Sequence, residues 1–126
     1  MMNDSDKPAL GLDLDGTIDE AADFFQVLSH NWPGKVYIIT YRDDAEKATR
    51  DVERFGVRYD EIILVSSFEQ KAVEIERLGI AVYFDDQDEM LQHVAEGVTV
   101  FKIRNGGNFD FEASKWLFSD RTGKLL

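Results

Sequence analysis

Four short apolar runs constrain this chain more than anything else in it, because each is continuous rather than alternating and each stops at a polar residue. They are Ala9-Leu10-Gly11-Leu12 before Asp13, Val36-Tyr37-Ile38-Ile39 before Thr40, Ile62-Ile63-Leu64-Val65 before Ser66, and Ala81-Val82-Tyr83-Phe84 before Asp85-Asp86. Strands buried on both faces read this way. The first reads as a strand over residues 9–14, bounded by Pro8 and Gly16. Between the runs the pattern turns helical. Ala21, Phe24, Phe25 and Leu28 recur at spacings of three and four until Asn31-Trp32-Pro33-Gly34 stops them. Asp43-Asp44 cap a helix over about 44–55 that Gly56 closes, and Phe68 to Leu78 forms another that ends at Gly79. A short helix around 87–95 leads through Gly97 to a last strand, Thr99 to Ile103. Alternating strands and helices specify an α/β fold with a parallel sheet covered on both faces, and right-handed crossovers make it doubly wound. After the loop Asn105-Gly106-Gly107-Asn108, the aromatic segment holding Phe109, Phe111, Trp116, Leu117 and Phe118 is expected to close the sheet's edge.

In such a sheet ligands bind beyond the carboxyl ends of the strands, where strand order reverses. Asp13, Asp15, Thr40, Ser66, Asp85 and Asp86 should therefore gather at one rim. Carboxylates brought together repel, so one must be protonated or a cation must be present. Asp13 with Asp85 and Asp86 offers the hard oxygen ligands that magnesium prefers, and that ion would draw in a phosphate. Lys71, in the first turn of its helix, can reach the same rim as a positive phosphate ligand. Thr40 offers a hydroxyl and an N–H, and Gly16 with Thr17 offers backbone N–H groups for an anion. Arg42 suits a substrate phosphate, or an ion pair with Asp43 or Glu46.

Taken together, Asp13-Leu14-Asp15-Gly16-Thr17, Thr40, Lys71 and Asp85-Asp86 resemble, in order, the four motifs of the haloacid dehalogenase-like superfamily over residues 9–103. The resemblance implies a magnesium-dependent phosphomonoester hydrolase that works through an aspartyl-phosphate. Asp13 would be the nucleophile, Asp15 the general acid and then base, and Thr40 and Lys71 the ligands of the transferring phosphoryl group. The metal would be held by Asp13, Asp15, Asp85 and Asp86. It further implies a three-layer Rossmann-like sheet ordered 3-2-1-4-5. The gaps Ile18 to Lys35 and Arg42 to Gln70 are too short for a cap domain, as in capless phosphatases. A nucleotidase, a polynucleotide 3′-phosphatase-like enzyme and a phosphate-binding module without turnover are the alternatives.

Composition sets the expected partners. The 126 residues, 44% of them hydrophobic, suit one domain, with residues 1–7 as a flexible N-terminus. A net charge of −11 works against nucleic acid and leaves a phosphorylated small molecule as the expected substrate. The N-terminus has no apolar core of a signal peptide, no run approaches the ~20 residues that span a bilayer, and cysteine is absent. A cytoplasmic protein is expected, with room for a homo-oligomer whose second chain covers the open rim.

Overall fold

The computed structural model describes residues 6–117. Five parallel strands, β1 (Ala9–Leu12), β2 (Val36–Thr40), β3 (Glu61–Leu64), β4 (Ile80–Asp85) and β5 (Thr99–Lys102), form one sheet in the order β3-β2-β1-β4-β5. This is the α/β doubly wound arrangement that the apolar runs specify. Four helices connect the strands: α1 (Ala22–Asn31), α2 (Ala45–Arg54), α3 (Phe68–Arg77) and α4 (Asp88–Leu91). Only α1 stands between Thr17 and β2, and only α2 and β3 between Arg42 and α3, so neither gap holds a cap.

Alternation along the strands builds two cores. Leu10, Leu12, Val36, Ile38 and Phe84 pack with Phe25 of α1 and with Ala48 and Val52 of α2. The intervening residues Ala9, Ile39 and Tyr83 pack on the other face with Ile75 of α3 and Met90 of α4. Phe25 is fully buried, and its ring meets those of Phe84 and Phe24 edge-on at 5.2 and 5.0 Å. Two helix starts follow the capping chemistry of the sequence. The Asp44 carboxylate accepts from the Lys47 N–H at 3.0 Å, and the Ser67 hydroxyl accepts from the Gln70 N–H at 3.0 Å.

Two expectations are corrected. The first strand ends at Leu12 rather than at residue 14. The Asp13 N–H still bonds the Phe84 carbonyl at 3.0 Å, but Leu14–Ile18 then curls into a turn around Gly16, whose φ is +83°. The aromatic tail does not close the sheet's edge. Its strands β6 (Phe109–Asp110) and β7 (Lys115–Trp116) pair antiparallel with each other, and Thr99, Val100 and Phe101 of β5 stay exposed. Phe118, like residues 1–5, lies outside the described residues. Among the described residues no helix is long and apolar enough to cross a membrane.

Asp51 on α2 fixes the segment that follows β2. Its carboxylate takes Arg42 Nη1 at 2.8 Å and Lys47 Nζ at 3.0 Å. These hydrogen bonds, Arg42's foremost, hold it down at about 2 against an ordinary 3.8. A carboxyl lowered by folding stabilises the native state above its unfolded pKa, and stops doing so as pH falls through the folded one. Asp51→Asn therefore lowers the denaturant midpoint at pH 7, and its difference from the unsubstituted chain closes between about pH 4 and 2. Phe25→Ala, which empties the centre of one core, should cost about 3–5 kcal/mol in the same denaturant titration.

Candidate functional site

Register brings the acids together. Leu12 of β1 pairs with Phe84 of β4, so Asp13 and Asp85 leave adjacent strands side by side at their carboxyl ends, and Asp86 follows directly. One carboxylate oxygen from each of Asp13, Asp85 and Asp86 lies within 4.8 Å of the others, and all three residues are buried. Lys71 stands among them. At 2% exposure its ammonium donates to Asp13 Oδ1 at 2.7 Å and to Asp85 Oδ2 at 2.8 Å. Asp85 also accepts from the Tyr83 hydroxyl at 2.6 Å and from the Gln87 N–H at 3.1 Å, while Thr17 donates its hydroxyl to Asp13 at 3.0 Å.

Charge and burial compete here. Burial, reinforced by Asp85, pushes the Asp13 carboxyl well above its ordinary range in spite of Lys71. Burial likewise raises Asp86, to about 6. It opposes the charged form of Lys71 as well, but Asp13 and Asp85 outweigh it, and the ammonium is held above its ordinary pKa. Burial and then Asp85 raise the Tyr83 phenol well above its own.

A loop distant in sequence braces the metal-ligand candidates. The Asn105 side-chain amide donates to Asp86 Oδ2 at 3.1 Å and to the Gly16 carbonyl at 2.7 Å, and Asn108 donates to the Asp86 and Ile103 carbonyls. Gly16 is required twice over at this point. Its φ is positive, and a Cβ there would run into the Asp86 carboxylate and come within 3.0 Å of Asn105 Nδ2. Its own N–H is taken by Asp19 Oδ1 at 2.7 Å.

The other residues singled out from sequence sit around this cluster rather than in it. Asp15 lines the same cavity, but both its oxygens are held by Arg42, at 2.8 and 2.6 Å. Arg42 thus pairs with Asp15 and Asp51, not with Asp43 or Glu46. Thr40 ends β2 at 1% exposure, and its hydroxyl has no hydrogen-bond partner among the described residues. Ser66 turns instead to the Gln70 side chain, at 3.1 Å. The cavity has a volume of about 350 Å³, and its remaining walls are Tyr41, Phe68 and Gln87. None of these three was singled out from sequence, nor were the roles of Asn105 and Asn108. The two asparagines flanking Gly106-Gly107 were the available signal, since buried amides at such a spacing can bridge separate loops.

No family model matches the chain, and no curated protein matches it. Among solved structures, the fold is similar to that of a universal stress protein determined in complex with cAMP, with a TM-score of 0.50 and 9% identity. The match covers 76% of this chain and 97% of that one. A likeness at this identity is one of fold, and it agrees with the Rossmann-like sheet. These findings correct the family resemblance drawn from the motifs: the comparisons return a universal stress protein fold and no haloacid dehalogenase-like family. The magnesium-dependent phosphomonoester hydrolase, its nucleotidase and polynucleotide phosphatase variants and the aspartyl-phosphate route are corrected with it. The geometry gives a physical counterpart to that correction. Asp15, cast as the proton shuttle, is bound at both oxygens by the Arg42 guanidinium.

Proposed function

We propose that the rim binds a divalent cation and, with it, a small phosphorylated ligand. The observation that carries this reading is the meeting of three buried carboxylates, Asp13, Asp85 and Asp86, within 4.8 Å at the carboxyl ends of two adjacent strands. Three acids facing one ammonium leave an excess of negative charge if all are ionised, and a hard cation offsets it without protonating any of them. An all-oxygen donor set of carboxylates suits magnesium, which keeps several waters and completes its shell with phosphate oxygens. Lys71 adds a cationic group for that phosphate. The cavity volume of about 350 Å³ is that of a small-molecule site. The ligand of the matched universal stress protein, cAMP, is itself a small phosphate ester and favours the same class here. The net charge of −11 favours it over a polynucleotide.

Titration calorimetry with magnesium and inorganic phosphate tests this. Magnesium should bind the unsubstituted chain, and phosphate should bind only with magnesium present. Asn105→Ala, which removes a hydrogen-bond donor to Asp86, should weaken magnesium about tenfold to a hundredfold, and Asp86→Asn should weaken it at least as much. Magnesium binding that Asp86→Asn leaves intact would refute the site. Sustained release of phosphate from a simple aryl phosphate would overturn the reading as a binding module.

A further inference from the structure

Beside its carboxylates the cavity has an apolar wall, formed by Tyr41 and Phe68, that neither a cation nor a phosphate needs. Tyr41 is 57% exposed although Phe68 stands next to it, with ring centroids 6.0 Å apart and planes tilted by 57°. An open aromatic ring on a surface is ordinary by itself. This one differs in how firmly its backbone is placed. The Arg42 N–H bonds back to the Thr40 carbonyl at 3.0 Å, which sets Tyr41 at the tip of a three-residue turn, and the same carbonyl accepts from the Val65 N–H at 3.0 Å. Downstream, the Arg42 guanidinium is fixed by Asp15 and Asp51. The ring is thus carried by a segment tied to β3, to α2 and to the turn after β1. A ring positioned before binding loses little freedom when a ligand arrives.

Resting on the phosphate reading above, the geometry points to a ligand that carries a planar aromatic group as well as a phosphate, with the ring against Tyr41 and Phe68 and the phosphate at the carboxylate end. A nucleoside monophosphate is the simplest ester of that kind. Stacking of a base on an aromatic side chain is strong enough to register as about a tenfold change in affinity or more.

The test is calorimetry on the full chain in magnesium, with adenosine 5′-monophosphate and ribose 5-phosphate as probes. The sugar phosphate carries an anomeric hydroxyl where the nucleotide carries its base. The nucleotide should bind about tenfold more tightly than the sugar phosphate. Tyr41→Ala should collapse that ratio towards one, and Tyr41→Phe, which keeps the ring, should retain it. The comparison on the unsubstituted chain stands even if Tyr41→Ala fails to fold. Equal affinity for the two esters, or a ratio that Tyr41→Ala leaves unchanged, would overturn the aromatic wall while sparing the phosphate site. Failure of both esters to bind would overturn the phosphate site and the wall together.

Discussion

One buried ammonium governs the rim. Lys71 is placed by the first turn of α3, behind the Ser67 cap, and reaches Asp13 and Asp85 at 2.7 and 2.8 Å. Removing one member of such a buried ionic group leaves its partners charged and unpaired, which is costly out of proportion to the bond lost. Three carboxylates nevertheless share this single cation, and burial raises the Asp13 and Asp86 carboxyls. If all three are ionised, the cluster carries an excess of negative charge that a small divalent ion is suited to take up. Its hydrogen bonds from Thr17, Tyr83, Gln87 and Asn105 fix where the oxygens stand.

Strand order explains why those groups meet. β1 is central, with β2 on one side and β4 on the other, so the crevice opens where the winding reverses. Asp13 leaves β1, Asp85 ends β4, Thr40 ends β2, and the turn around Gly16 keeps the chain clear of Asp86. The loop after β5 then reaches back, through Asn105 and Asn108, to hold that turn and Asp86 together. The site is assembled by five consecutive β–loop junctions and contains no inserted domain.

The layers were legible because the apolar runs are continuous, and the start of α2 because Asp44 is a good capping residue; the start of α3 at Ser67 read only as a break. The meeting of Asp13, Asp85 and Asp86 was legible from the polar residues that end β1 and β4. The fate of Asp15 was not. Its side chain depends on where β1 stops and on a guanidinium 27 positions away, neither of which a local pattern encodes. The Asn105 contact with Gly16 spans 89 positions and was hidden for the same reason. The tail misled because aromatic content indicates burial without saying against what. Phe109 packs edge-on against Phe111 and Trp116, within its own hairpin.

The motifs also misled about family, for an instructive reason. A doubly wound sheet delivers polar residues to the same rim whatever they do there, so their order along the chain reports the winding before it reports a reaction. What remains specific is the spacing of three oxygen donors. Manganese, which accepts the same carboxylate ligands as magnesium, locates that site directly by anomalous diffraction from crystals grown with it. The expected result is a peak bonded to carboxylate oxygens of Asp13, Asp85 and Asp86. A peak elsewhere, or none at that position at millimolar manganese, would contradict a metal at this rim.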